Sequence, residues 1–198
     1  GSAFRGIHKN ALEGGNFLMK DESVDAAVAA VYDRRIENQP GAHRAPLQKA
    51  HLRRLDRVFT DNPIYFVTAC AAKRRPLLAC GSTHEAFRAF CFESPTHGAR
   101  VGRYVLMPDH LHVFVSTYGI SLSAWMKSLK NTLSKFLRDL GYPSPHWQRG
   151  FFDHVLRSGE SYTQKWEYMR ENPVRAGLIA TAEDWPYAGE IHDLEFTK

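Results

Sequence analysis

The sequence predicts an α+β domain with a split β-α-β antiparallel sheet, helices on one face and an extra C-terminal helix. Short runs rich in β-branched and aromatic residues alternate with amphipathic runs in the order β-α-β-β-α-β. Two of the strand-like runs are separated only by the turn at residues 107–109, which predicts an antiparallel hairpin. A further helical run follows the last strand. This order predicts helices packed on a sheet whose first strand lies in its interior.

The first strand and first helix follow from local signals. Residues 64–68 (IYFVT) combine β-branched and aromatic side chains, which predicts a strand. The tetrapeptide STHE at residues 82–85 has the pattern of a capping box, so we expect a helix to begin at Ser82, with Phe87 and Cys91 on its buried face.

The second half of the domain repeats this alternation. Strands are expected at about residues 100–106 and 110–116, followed by a long helix from Ser121 to Gly141 whose apolar residues recur every three or four positions. Residues 151–156 are a predicted fourth strand, and residues 160–172 a helix that Pro173 would end. The whole arrangement is ferredoxin-like.

The length and composition indicate one globular domain with an N-terminal extension. A chain of 198 residues with 43% hydrophobic content can bury one sizeable core, and we assign it to residues 51–198. Residues 1–50 differ in character and form an N-terminal extension, in which Val24, Ala27, Val28 and Val31 at helical spacing predict a helix.

Charge and cysteine content exclude several classes of protein. No apolar run approaches the roughly 18 residues of a membrane span, so no membrane partner is expected. The three cysteines form no C-x-x-C pair, which argues against a disulfide framework and fits a reducing cytoplasm. A net charge of +5 and a pI near 9.2 favour a polyanionic partner.

Two histidines one residue apart form half of a candidate metal site. His110 and His112 begin a predicted strand, and side chains alternate along a strand, so both imidazoles point to one face. Leu111 and Val113 then turn to the opposite, buried face. Neighbouring imidazoles can converge on a divalent cation. The alternative is that both rings face water or bond the backbone.

A tyrosine and an asparagine on the last helix complete the candidate site. Tyr168 and Asn172 are neighbours at i and i+4, which would offer a nucleophile and a third ligand to a metal held by the histidines. The alternatives are a core tyrosine and a helix C-cap. Tyr162 is a second candidate nucleophile, disfavoured because its i+4 residue, Trp166, is not a metal ligand.

Three ordered motifs carry a family resemblance. They are YVLMPDHLH at residues 104–112, WQRGFFDH at 147–154 and YMRENPVRAGL at 168–178, with WPY at 185–187 near the end. With these motifs the chain resembles single-tyrosine HUH transposases, most closely the REP-associated tyrosine transposases of bacteria. The resemblance spans roughly residues 53–190 and leaves the first fifty residues without a counterpart.

The resemblance implies a reaction and its residues. His110, His112 and Asn172 would bind Mg²⁺ or Mn²⁺, and Tyr168 would be the nucleophile. The implied activity is metal-dependent endonuclease and strand transfer on single-stranded hairpin (REP-like) DNA through a 5′-phosphotyrosine. The alternative is a hairpin-binding regulator on the same scaffold with little or no chemistry. Relatives include both monomers and dimers, and the resemblance to the REP-associated branch favours a monomer for this chain, with a dimer as the alternative.

Basic and aromatic residues around the site are candidates for DNA binding. The phosphate-binding candidates are Lys73, Arg74, Arg75, Lys127, Lys130, Arg149, Arg170 and Arg175, and Trp147 is the candidate for base stacking. The alternatives are solvated surface charges and a core tryptophan. The sequence identifies no general base; His154 is one candidate, although it could equally be a structural histidine held by Asp153.

Overall fold

Five strands form one antiparallel sheet. The structure is a computed structural model that describes residues 62–156 and 158–194. Its strands are Ile64–Cys70 (β1), Ala99–Met107 (β2), His110–Thr117 (β3), Phe152–Leu156 (β4) and Ala188–Glu190 (β5). They lie in the order β4-β1-β3-β2-β5, and each neighbouring pair is antiparallel. The first four strands have the predicted ferredoxin-like order, which confirms the α+β fold class.

The fifth strand was not predicted. β5 pairs with β2, where Gly189 lies opposite Tyr104. It has only three residues and no alternation of polar and apolar side chains, so no local pattern marks it. The predicted extension at residues 1–50 and its helix lie outside the described residues.

Two helices cover one face of the sheet. They are Gly81–Phe92 (α1) and Leu122–Asp139 (α2). Phe87 of α1 packs on Tyr104 of β2 with ring centroids 4.9 Å apart, and Phe90 contacts Trp125 of α2 at 5.9 Å. The three helix rings belong to the apolar faces of these amphipathic helices. Burial of such faces is the main force that holds helices on a sheet.

The predicted start of α2 is confirmed and that of α1 is wrong. Ser121 caps α2, because its Oγ accepts a hydrogen bond from Ala124 N at 3.2 Å. α1 begins at Gly81, and no side chain caps it. The expected capping box does not form because the helix already begins at Gly81, so Ser82 lies inside its first turn. The buried Thr83 donates from Oγ1 to Leu77 O at 3.4 Å, which ties the helix start to the preceding loop.

The third helix, Gly159–Arg170 (α3), lies on the opposite face of the sheet. The Tyr162 ring packs on Phe114 of β3 at 4.2 Å, and Lys165 Nζ lies 5.7 Å from the Phe66 ring centroid. Gly102 makes room for this helix, since a Cβ there would lie 3.0 Å from the Tyr162 hydroxyl and 2.7 Å from Leu194 Cδ1. The extra C-terminal helix therefore packs apart from α1 and α2.

α3 ends two residues earlier than predicted. Glu171 follows it with helical backbone angles, and a four-residue helix, Asn172–Arg175 (α4), begins at once. Pro173 lies in the first turn of α4, where its missing N–H group costs no hydrogen bond. In the described ranges, no helix combines the length and apolar character that crossing a membrane requires.

Candidate functional site

The two histidines share one face of the sheet, as predicted. They begin β3, and their ring centroids are 4.8 Å apart with the rings nearly perpendicular at 87°. Leu111 and Val113 are fully buried on the opposite face, under α1 and α2. The alternation of a strand therefore separates the core from the imidazole pair, which lies on the face that carries α3.

Each imidazole is held at its Nδ1 atom by a neighbour. Thr68 Oγ1 lies 2.8 Å from Nδ1 of His112, and Asp109 Oδ1 lies 2.6 Å from Nδ1 of His110. A carboxylate can only accept, so Nδ1 of His110 donates to Asp109. Holding one ring nitrogen orients the ring and leaves the other for a cation, an arrangement common around metal-binding histidines.

Arg74 joins this network through Asp109. Its guanidinium lies 3.1 Å from Asp109 Oδ2, and the Asp109 side chain is only 9% exposed. Lys73 and Arg74 both adopt left-handed backbone angles, with φ of 55° and 57°, in the loop after β1. Such angles are unfavourable for residues with a Cβ, so the loop is strained where it brings Arg74 to the carboxylate.

The environment keeps His112 neutral. Burial lowers the pKa of His112 well below its ordinary value, and the nearby His110, Arg74 and Arg175 lower it further. Asp109 acts in the opposite direction but does not reverse the effect. Desolvation disfavours the charged imidazolium. A neutral imidazole is the form that binds a metal, so this histidine needs no deprotonation at neutral pH.

Tyr168 and Asn172 come together around Arg175. Tyr168 lies in the last turn of α3 and is 56% exposed. Arg175 donates to the Tyr168 carbonyl oxygen at 2.5 Å and to Asn172 Oδ1, and its Cζ lies 4.4 Å from the centroid of the Tyr168 ring. The predicted neighbourhood of the phenol and the amide is therefore present, with an arginine between them.

Two contacts connect α3 to the histidine face of the sheet. Phe66 stacks on His112 with centroids 5.5 Å apart and an angle of 16°, and Lys165 lies above Phe66. Tyr168 follows Lys165 by three residues, about one helical turn. The charge of Arg175 acts on the pKa of His112, which places the guanidinium within electrostatic range of that imidazole.

The donor set fits a divalent cation that accepts nitrogen and oxygen. It comprises two imidazoles and an amide oxygen, which suits Mn²⁺ and, less well, Mg²⁺. Residues 62–156 and 158–194 contain no group of three or more His, Cys, Asp or Glu side chains placed to hold a metal. The third ligand that the sequence offers is the amide of Asn172. Its Nδ2 is buried and has no hydrogen-bond partner.

Tyr162, the second candidate nucleophile, lies in the core. It is 9% exposed, and its hydroxyl accepts a hydrogen bond from Arg103 N at 3.4 Å. Burial raises the pKa of Tyr162 to about 12. A phenol that is both covered and hard to ionise is a poor nucleophile, so the structure favours a packing role.

His154, the candidate general base, lies on β4 beside Asp153. The two residues are adjacent on β4, so their side chains point to opposite faces. His154 is exposed and lies opposite Phe66 in the register, on the face of the metal-site histidines. This placement leaves it on the side where a substrate would lie.

The candidate phosphate-binding residues divide into two groups. Lys73, Lys127 and Arg149 are exposed. The others already bind protein groups: Arg74 pairs with Asp109, Arg75 donates to the carbonyls of Pro143 and Pro145, Lys130 donates to those of Gln148 and Gly150, Arg170 pairs with Glu167, Glu171 and Glu183, and Arg175 contacts Tyr168 and Asn172.

The aromatic residue best placed for base stacking is Phe152, which the sequence analysis missed. Trp147 is half-buried, its Nε1 donates to Lys130 O at 3.2 Å, and the Lys130 ammonium lies 5.5 Å from its ring centroid. Phe152 is 54% exposed and lies opposite Thr68 in the register, on the histidine face. Alternation along residues 151–156 was the signal that could have found it.

Comparisons with known proteins agree with this fold. A protein of Haemophilus influenzae assigned to the REP-associated tyrosine transposases is 24% identical over 154 residues, which cover 70% of this chain and 86% of the relative. The REP-associated tyrosine transposase of Escherichia coli is 24% identical over 88 residues, 44% of this chain and 52% of that protein.

A solved structure shares the architecture. The REP-associated tyrosine transposase solved in complex with a REP hairpin superposes with a TM-score of 0.56 at 20% identity, covering 70% of this chain and 92% of that one. The sequence model of the IS200-like transposases matches residues 60–171, which contain the histidine pair and Tyr168. The chain therefore belongs to the IS200-like transposase family.

Proposed function

We propose that this protein cleaves and rejoins single-stranded DNA through a covalent tyrosine intermediate. The metal ligands in this proposal are His110, His112 and Asn172, and the nucleophile is Tyr168. The observation that carries it is the position of Arg175, which contacts both Tyr168 and Asn172 and acts electrostatically on His112. This position supports the meeting of a phenol from α3 with an imidazole pair on the sheet.

The first step breaks one phosphodiester bond. The phenol oxygen of Tyr168 attacks phosphorus while the bond from phosphorus to the 3′ oxygen breaks, which leaves a 5′-phosphotyrosine and a free 3′-hydroxyl. The proton that the phenol loses balances the one that the 3′ oxygen gains, through solvent. A bound Mg²⁺ or Mn²⁺ would supply Lewis-acid polarisation of the phosphate.

The chain's own residues prepare this step. Thr68 and Asp109 hold the imidazoles at Nδ1, so the Nε2 atoms are oriented before substrate binds. The 56% exposure of Tyr168 leaves its hydroxyl accessible to a DNA strand. Because the covalent link keeps the energy of the broken bond, attack by a second 3′-hydroxyl reverses the step and transfers the strand.

The proposed substrate is a DNA hairpin with an unpaired flank. The relative solved with a REP hairpin supports a hairpin, and the net charge of +5 suits a polyanion. Exposed Phe152 on the histidine face offers a surface for an unpaired base.

A covalent-adduct assay tests the proposal. The protein is incubated with single-stranded hairpin DNA and Mn²⁺, and the products are separated on a denaturing gel. We expect wild type to form a protein–DNA adduct, and Tyr168→Phe and His112→Ala to form none. An adduct that survives Tyr168→Phe would reassign the nucleophile. Binding without any adduct would instead favour a hairpin-binding regulator.

A further inference from the structure

Arg175 is bound to the two residues that the proposed reaction must use. It is an exposed residue at the end of the short helix α4. Its guanidinium donates to Asn172 Oδ1 and to the carbonyl oxygen of Tyr168, and it covers the face of the Tyr168 ring at 4.4 Å.

This arrangement leaves the Asn172 amide poorly matched to its surroundings. Its Oδ1, the atom proposed to bind a cation, accepts a hydrogen bond from a positively charged group. Its Nδ2 is buried and has no partner. A divalent cation on the same oxygen would be repelled by the guanidinium, so Arg175 and a metal compete for Asn172.

We propose that Arg175 is a phosphate-responsive latch, which holds Asn172 and covers Tyr168 until a DNA phosphate draws the guanidinium away. The inference rests on the proposed function, because it assigns a regulatory contact to the same site. Release of Arg175 frees the amide oxygen of Asn172 for the cation. The latch therefore couples DNA binding to metal binding.

A phosphate is the ligand best able to displace these contacts. The planar guanidinium forms paired hydrogen bonds with a phosphate, and bonds between two ionised groups are stronger than bonds to a carbonyl or an amide. Arg175 is accessible to a strand that approaches Tyr168, since both residues are exposed. Its effect on the pKa of His112 independently places its charge near the proposed metal ligands.

The experiment measures Mn²⁺ affinity from the spectroscopic signal of free Mn²⁺. Titrations use the Tyr168→Phe chain, which keeps the ring under Arg175 and forms no covalent product. Three conditions are compared: no added ligand, a single-stranded hairpin oligonucleotide, and inorganic phosphate at the same total phosphate concentration as the oligonucleotide. Only binding that His112→Ala removes is counted. Arg175→Gln is compared with Arg138→Gln, a matched change at an exposed arginine of α2.

The latch predicts that the oligonucleotide tightens Mn²⁺ binding about fivefold or more, and that Mn²⁺ tightens oligonucleotide binding by the same factor. Arg175→Gln should tighten Mn²⁺ binding without DNA and remove most of the gain that DNA gives, whereas Arg138→Gln should change neither. An equal gain from inorganic phosphate also supports the latch and shows that free phosphate is sufficient.

Two results would overturn the inference in distinguishable ways. If Mn²⁺ binds through His112 but Arg175→Gln leaves its affinity unchanged or weakens it, the latch is wrong and the proposed metal site stands. If no Mn²⁺ binding depends on His112, the metal site and the latch fail together. Arg175→Lys, which keeps the positive charge and loses the paired hydrogen bonds of the guanidinium, is the second variant if Arg175→Gln folds poorly. It should also tighten Mn²⁺ binding without DNA, and an unchanged affinity would contradict the latch.

Discussion

Thr68 Oγ1 lies 2.8 Å from Nδ1 of His112, across the pairing of two neighbouring strands. The two residues are 44 positions apart in sequence and meet because β1 and β3 pair in this register. The hydroxyl therefore fixes the ring of a proposed metal ligand without itself touching the cation.

Loss of that hydroxyl should weaken metal binding while the fold persists. Thr68→Val keeps the side-chain shape and removes the hydrogen bond, so we expect Mn²⁺ affinity to fall about tenfold or more. Mn²⁺ titration checks this result. Thr96→Val is the control, because the exposed Thr96 hydroxyl bonds only a local carbonyl among the contacts described, that of Glu93. Equal affinities of the two variants would contradict the role of Thr68.

Asp109, which holds the ring of His110, should affect Mn²⁺ affinity at least as strongly as Thr68. Asp109→Asn removes the charge that accepts from His110 and pairs with Arg74, so we expect Mn²⁺ affinity to fall about 10- to 100-fold. The same titration measures it. Asp139→Asn, at the exposed end of α2, is the matched control and should bind Mn²⁺ like wild type. Unchanged affinity in Asp109→Asn would show that His110 needs no carboxylate.

Substitution of the two tyrosines of α3 should have different effects on the yield of the covalent adduct. Tyr162→Phe loses the long hydrogen bond from Arg103 N and keeps the packing on Phe114, so we expect its adduct yield to stay within about twofold of wild type. Thermal unfolding checks its stability. If Tyr162→Phe abolished the adduct in a folded protein, the assignment of the nucleophile to Tyr168 would be wrong.

The lowered pKa of His112 predicts a pH dependence of stability. Above the ordinary value of 6.5, the residue is neutral in both states and stability is complete. As the pH falls below that value, the unfolded chain takes up a proton that the folded chain refuses, so the free energy of unfolding decreases by at most about 1.4 kcal/mol per pH unit.

Urea denaturation at several pH values measures this effect. We expect His112→Gln to lose less stability than wild type between about pH 6.5 and about pH 5, because it lacks the titrating group. His97→Gln, at an exposed position, should keep the wild-type slope. Parallel slopes in His112→Gln and wild type would mean that this imidazole titrates normally in the folded state.

Two aromatic residues should respond differently to truncation. Phe152→Ala should weaken the binding of single-stranded hairpin DNA about 5- to 150-fold with little loss of stability, because an exposed ring stacks on bases but buries little in the fold. Trp147→Ala should mainly lower the thermal stability, because the indole packs between Lys130 and the strand end. Binding assays and thermal unfolding separate these outcomes.

The exposed Phe92, on α1, supplies the matched control for Phe152. It is 67% exposed and stacks on His192. Phe92→Ala should leave DNA affinity unchanged, and an equal loss of affinity in both variants would remove the assignment of base stacking to Phe152.

Local periodicity predicted most of the fold and the candidate residues. Alternation at residues 110–113 correctly placed two imidazoles on one face and two aliphatic side chains in the core. It did not identify β5, whose three residues acquire strand geometry only by pairing with β2. The capping pattern at residues 82–85 failed because the helix begins one residue before Ser82, with Cys80 at the N-cap position.

The sequence by itself determined the candidate site residues, a histidine pair and a tyrosine with an asparagine four residues later. It also determined the order of the first four strands and the helices. Only the tertiary structure decided how they are used, by pairing Thr68 with His112, bringing Arg74 to Asp109 and inserting Arg175 between Tyr168 and Asn172. The physical reason is the sequence separation over which each signal acts. Periodicity records which face a residue occupies, whereas these contacts depend on strand register and helix packing between distant segments.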